Sequence, residues 1–312
     1  MSGAPGPLGP GSERIDLTAS DGVALRAARR PAEGAARGRA LLLHGRTEFL
    51  EKFADPAAAL ARRGFEVWSI DWRGQGASAR SLADPLKGHV GDFAEYQRDL
   101  AALAAAGQDP TLVIANSMGG AVALRALASG ALRARAAVFL APMWGLAMAP
   151  LKARAARLMA RAATGLGLGG LYAPGGGGPR PYALRGFPDN VLTPDEAAFE
   201  RIAALVREAG PQALGGPTLG WLDAAFREMD ALVPLRLQVP ALVLAGSEEM
   251  VTDVAAMRAR AARDSLRFAE IGGARHELLI DAPERRGRVW GLIDAFLAET
   301  GASPASPASE TA

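Results

Sequence analysis

Residues 111–127 read TLVIANSMGGAVALRAL. An apolar, β-prone run comes first, then the polar pair Asn116-Ser117, two glycines, and an Ala/Leu-rich run of helical character. The order describes a short buried strand that turns abruptly into a helix, with Ser117 at the corner. Serine is favoured there for either of two reasons. It caps helix N-termini, and it serves as a nucleophile when a tight strand-to-helix turn holds its hydroxyl out of the backbone. Either way the unit is strand-then-helix, so the fold depends on whether the chain repeats it.

It does. Apolar runs at 40–45 (ALLLHG), 65–71, 111–117, 136–142, 241–246 and 266–271 read as strands. Helical patterns at roughly 55–63, 93–106, 118–129, 252–264 and 284–299 lie between and after them. Runs that are apolar throughout, without alternation, suit strands covered on both faces, which means a mostly parallel sheet in an α/β protein. One region breaks the rhythm. From Met143 to about Leu232 no strand-like run occurs, only helical stretches near 150–163, 194–208 and 217–230 and a Gly/Pro-rich segment containing Gly175–Gly178. An insertion that leaves the C-terminal end of a sheet strand lies over the crevice where open α/β sheets bind ligands. The expected division is a flexible start (1–14), a core (15–142 and 233–299), a helical lid (143–232) whose glycine run supplies mobility, and a Pro/Ser/Ala-rich disordered tail (300–312).

Composition narrows the function classes. The 312 residues are 49% apolar and 22% charged, with a net charge of +2 and no dense basic run, which argues against nucleic-acid binding. The chain has no cysteine, so disulfides, a thiol nucleophile and thiolate metal sites are excluded. The first residues lack the apolar core of a secretion signal, and the charge-free stretch 136–151 is too short and Pro/Gly-broken to span a bilayer. A cytoplasmic location is expected, with no nucleic-acid partner. Only the Arg-rich stretch 151–163 suggests peripheral contact with a membrane surface.

Histidine is scarce: His44, His89 and His276. His44 ends a strand and His89 sits in a polar loop, whereas His276 lies in a glycine-rich turn after the last strand. Ser117, the acidic cluster GSEEMVTD (246–253) and His276 therefore follow three strands in the order nucleophile, acid, base. A serine hydroxyl needs an imidazole to take its proton, and the imidazole needs a carboxylate to fix its tautomer. Glu249 is favoured as that acid over Glu248 and Asp253. The elbow reads A-N-S-M-G, with Ala115 in place of the first glycine of G-x-S-x-G. An oxyanion requires two amide donors. Met118, after the nucleophile, supplies one, and the HGRTEF loop after an early strand supplies the other, Arg46 before Thr47.

The strings HGRTEFLEKF, DWRGQGAS, KGHVGDF, NSMGG, APMWGL, GGPTLGWL and GGARHELL together resemble the bacterial lysophospholipases of the α/β-hydrolase fold, which are akin to monoacylglycerol lipases. The likeness runs from about residue 15 to 298. It implies a mostly parallel central sheet with helices on both faces and a helical cap, and hydrolysis of single-chain lipid esters without metal or organic cofactor. Carried across, the motifs imply Ser117 as nucleophile, His276 as base, Glu249 as acid, and Arg46 and Met118 as oxyanion donors. Two departures stand out: many relatives have Asp where Glu249 stands, and Phe49 occupies a position at which monoacylglycerol lipases tend to have histidine. The bland readings hold for the other strings. Asp71 and its glycines shape a loop, the His89 segment packs beside it, and GGPTLGWL builds the lid and its acyl-binding wall.

Overall fold

The computed structural model describes residues 6–301. Eight strands form one sheet: β1 (Glu13–Thr18), β2 (Ala24–Arg30), β3 (Gly38–Leu43), β4 (Phe65–Ile70), β5 (Leu112–Asn116), β6 (Ala136–Leu140), β7 (Ala241–Gly246) and β8 (Arg267–Ile271). Their spatial order is β1-β2-β4-β3-β5-β6-β7-β8. β4, β3, β5, β6, β7 and β8 run parallel, and these are the six runs that the sequence marks as strands. The antiparallel β1/β2 hairpin adds to the β4 edge.

The strand sequences explain why helices cover both faces. Along β3, Leu41 and Leu43 point into one core while Ala40 and Leu42 point into the other; Val113/Ala115 and Leu112/Ile114 of β5 divide in the same way. Side chains alternate across a pleated strand, so a strand apolar at every position must be buried on both sides. α1 (Ala54–Arg62) and α8 (Pro283–Glu299) pack on one face. α2 (Ala94–Ala105), α3 (Met118–Ala128) and α7 (Val254–Arg263) pack on the other.

Three expectations change. Glu13 and Arg14 begin β1, and Leu8 is fully buried against the α1/α8 core, so the ordered chain starts before residue 15. The α8 helix is followed by Thr300, whose hydroxyl donates to the Phe296 carbonyl; residues 302–312, most of the expected tail, lie outside the described residues. Within the insertion, α4 (Pro150–Gly165), α5 (Glu196–Ala209) and α6 (Leu219–Leu232) differ in kind. α6 is buried along most of its length, with Trp221, Ala225, Phe226 and Met229 continuous with the core, and Arg125 of α3 donates to Glu228 at 2.7 Å. The last helix of the insertion is thus part of the body. The glycine run is held too: Gly216 N–H donates to the Gly178 carbonyl (2.7 Å), and a Cβ at Gly216 would lie 2.3 Å from the Gly176 oxygen. These glycines let two strips of chain, 173–178 and 215–218, lie side by side.

Candidate active site

β5 ends at Asn116 and α3 starts at Met118, so Ser117 alone makes the turn, at φ 49° and ψ −117°. A non-glycine residue in the left-handed region costs roughly 1–3 kcal/mol and persists only where the surroundings fix it. Here they do: the Ser117 amide donates to the Leu140 carbonyl, and the Ser117 carbonyl accepts from Gly120 and Met143, each at 2.9 Å. The turn is tight against β3, because a Cβ at Gly119 would stand 2.6 Å from the Leu43 and His44 oxygens. Ala115, by contrast, lies within β5 and packs its methyl into the core, so a glycine is not needed at that position. The Ser117 hydroxyl makes no capping bond to α3, which disposes of the N-cap reading. It borders a cavity of about 610 Å³ instead.

His276, in the loop between β8 and α8, borders the same cavity. Its Nδ1 lies 2.9 Å from Glu249 Oε2, and the other oxygen of Glu249 accepts from the amides of Val251 (2.7 Å) and Thr252 (3.2 Å). Burial alone would raise the Glu249 carboxyl, but His276 and these two amides hold it below the usual carboxylate range. Burial would lower the His276 imidazole, but Glu249 above all lifts it above the usual range, helped by Glu277 and Glu48. The other two acidic candidates are elsewhere: Glu248 is largely exposed, 3.7 Å from Arg275, and Asp253 caps α7 by accepting from Ala255 and Ala256. Among the described residues no hydrogen bond joins the Ser117 hydroxyl to the imidazole; catalytic contacts are often loose without substrate.

Of the two donors proposed from the HGRTEF loop, the Thr47 amide is committed to Gln75 Oε1 at 2.8 Å. The amides of Arg46 and Met118 have no acceptor among the described residues, and both residues border the cavity beside Ser117.

Beneath this floor lies a buried cluster that sequence reading missed. Glu48 accepts from the Gly45 amide and, at 3.1 Å, from the Asn116 side chain. Its other oxygen accepts from Lys52 Nζ, which also donates to Glu277, each at 2.7 Å. One carboxylate therefore touches the loop carrying Arg46 and the residue before Ser117, and through Lys52 it reaches the neighbour of His276. Burial pushes Glu48 up, but Lys52 and the other donors bring it down to about 2. The i,i+4 spacing of Glu48 and Lys52 was the only signal in the sequence, and it looks like an ordinary surface pair.

The remaining histidines are structural. His44 is fully buried, its Nδ1 2.9 Å from the Gly45 carbonyl oxygen and its Nε2 3.6 Å from Asp71. Asp71 accepts from the Leu50 and Ala77 amides and from Arg26, shaping the DWRGQGAS loop. His89 contacts the Thr218 hydroxyl at 2.8 Å, where Thr218 caps α6, and takes no part in the cavity wall. Among the described residues no cluster of His, Asp and Glu is arranged to hold a metal ion.

The cavity is lined by the apolar side chains of Met143, Leu146, Met148, Met159, Leu222 and Met250, by the glycine strips at 175–176 and 215–216, and by the cations Arg46, Lys152 and Arg185.

A left-handed serine at a β5–α3 elbow, a carboxylate-bound histidine after the last strand, and this strand order define the α/β-hydrolase fold. Residues 34–283 match the family model described as serine aminopeptidase, S33, and the chain belongs to that family. It is 30% identical over 270 residues to lysophospholipase L2 of Escherichia coli strain K12, covering 81% of this chain and 78% of that one. Its fold is similar to a thermostable carboxyl esterase from Bacillus coagulans (TM-score 0.76, 16% identity, 93% and 98% covered). It is also similar to a soluble variant of monoglyceride lipase from Saccharomyces cerevisiae (TM-score 0.72, 16% identity, 93% and 96% covered). The protein is a carboxylic ester hydrolase.

Proposed function

We propose that the protein is a serine esterase that releases the acyl chain of single-chain lipids, and specifically a lysophospholipase. The observation that carries this reading is the pairing of an uncapped, left-handed Ser117 with the Glu249-bound His276 on the floor of one cavity with an apolar wall. In the first step the Ser117 hydroxyl attacks the ester carbonyl and its proton passes to His276 Nε2. Glu249, holding Nδ1, steadies the imidazolium that forms. The oxyanion takes the amides of Arg46 and Met118. Collapse of the tetrahedral intermediate breaks the ester bond, and the departing alkoxide receives the proton from His276. Water, deprotonated by the same histidine, then attacks the acyl-serine, releasing fatty acid and restoring Ser117.

Replacing Ser117 with alanine is expected to lower p-nitrophenyl ester turnover by roughly 10⁴-fold or more, and to abolish fluorophosphonate labelling. Retained labelling would place the nucleophile elsewhere and end this reading, and an unlabelled wild-type protein would make the chain a binding member of the fold. A panel of lysophospholipids, monoacylglycerols and short soluble esters then separates lysophospholipase from monoacylglycerol lipase and from general carboxylesterase.

A second reading concerns the supply of substrate. α4 turns Ala155, Ala156 and Met159 toward the cavity, yet leaves Leu151 and Leu158 80% and 72% exposed, with Leu166 at 76% just beyond it. Arg154 and Arg161 stand among them, Lys152 borders the cavity, and no acidic residue occurs from 143 to 188. Leucines and cations on one surface helix suit the boundary of an anionic bilayer. Arg157 is excluded from that face because it pairs with Asp230 at 2.6 Å. Among the described residues no helix is long and apolar enough to cross a membrane.

A further inference from the structure

We propose that the glycine-lined wall of the cavity is an anion subsite, in which Arg46 and Arg185 receive the phosphate of the substrate headgroup. This deepens the esterase reading above and rests on it. The first argument is a count of donors. A guanidinium has five N–H groups. Arg46 uses two, on the carbonyls of Gly215 (3.1 Å) and Gly216 (2.9 Å), lays its face 4.9 Å from the Trp221 ring centre, and keeps a buried Nε with no acceptor. Arg185 uses one, on the Gly176 carbonyl at 3.0 Å, and lies 4.7 Å from the Tyr182 ring. Neither forms an ion pair with a carboxylate among the described residues, and both border the cavity.

The second argument is contrast. Arg26 is answered by Asp71 and Glu51 and Arg73 by Asp21 and Asp99, while Arg80, without a carboxylate, spreads its Nε, Nη1 and Nη2 over five carbonyls and so leaves no nitrogen unpartnered. Arg39 also lacks a carboxylate, but it donates to the carbonyls of Leu103, Ala104 and Gln108 at the end of α2, the negative pole of that helix. Arg46 has no such pole, and burial pulls it down to about 10. A buried cation without a counter-charge is costly unless something completes it.

The third argument is placement. The carbonyls that hold the two guanidinium groups belong to adjoining strips, since Gly216 and Gly176 approach within a missing side chain of each other. Both cations therefore flank one bare backbone junction that borders the cavity. The carboxylates that border the cavity, Glu48 and Glu277, are both bonded to Lys52 at the floor. The proposed arrangement lays the acyl chain along the methionine and leucine side chains, the ester over Ser117 and the phosphate against the glycine strips; Lys152, which also borders the cavity, is exposed, unlike the two arginines. Phosphate suits the planar fork of arginine, whereas a neutral glycerol leaves the cations unanswered.

The test compares lysophosphatidate with monoacylglycerol of the same acyl chain. Arg185→Met is expected to lower the ratio of their kcat/KM values by roughly ten- to a hundredfold, chiefly through KM of the phosphate-bearing ester, and Arg185→Lys to recover part of it. A ratio unchanged in Arg185→Met overturns the subsite. Binding of both lipids to Ser117→Ala, followed by calorimetry, reads the same preference when no ester is turned over, so failure of the chemistry and failure of the subsite are told apart. Inorganic phosphate below ~10 mM is expected to leave p-nitrophenyl ester turnover unchanged, because one bare ion lacks the apolar anchor. Inhibition at micromolar phosphate would make this a free-anion site and overturn the assignment to a headgroup.

Discussion

In the proposed mechanism the imidazole of His276 must be neutral to accept a proton from Ser117, and Glu249 holds its pKa above the ordinary 6.5. The rate kcat/KM is therefore expected to fall as pH drops through a value above 6.5, with the acid limb moved up relative to a free imidazole. Glu249→Gln removes the charge that lifts the imidazole, so the limb should move down while kcat falls by roughly 10⁴-fold. A limb that stays in place in this variant would mean that another group titrates. Glu48→Gln tests the buried cluster. Losing that charge leaves Lys52 with Glu277 alone and weakens the bond to the Gly45 amide, so a stability loss of about 3–5 kcal/mol is expected in denaturant unfolding. Where folded, the variant should lose kcat more than KM, because Gly45 and Asn116 adjoin the proposed oxyanion donor and nucleophile. Ser117, Glu249 and His276 could be proposed from the sequence because each follows a strand, in the chain order that this fold uses. The Glu48–Lys52–Glu277 contact was not, because Glu277 lies 225 residues from Lys52 and pattern alone pairs nothing at that distance.

The helices, read from their periodicity, and the six strands with apolar runs were legible; the two charged strands were not. β1 and β2, ERIDLT and ALRAARR, carry charge at the edge of the sheet and drew no strand assignment. Arg26 in β2 is buried only because Asp71 and Glu51 receive it, partners that no local window contains. The α5 helix illustrates the same limit from the lid side. Its periodicity was plain, but its seat was not: Ile202 and Val206 pack on Phe49, three residues beyond the oxyanion-donor candidate Arg46. Phe49→Ala should cost about 3–5 kcal/mol of stability by leaving a cavity there. Hydrogen exchange is expected to rise in α5 before the sheet, and uniform exchange across both would show that the insertion does not depend on this contact.

For the molecule as a whole, the surface leucines of α4 predict behaviour at interfaces. Binding to vesicles containing anionic lipid should exceed binding to zwitterionic vesicles and decline with salt. Replacing Leu151, Leu158 and Leu166 together with serine should remove most of the binding, and removing Arg154 and Arg161 should reduce its salt dependence. Unaltered flotation with vesicles after both sets of changes would exclude α4 as the contact. Arg46 joins the two halves of the architecture in one residue. Its main chain belongs to the chamber floor, while its side chain grips the carbonyls of Gly215 and Gly216 overhead. Displacing that strip would cost two charge-assisted bonds, so one guanidinium fastens the roof to the same short loop whose amide is proposed to face the reacting carbonyl.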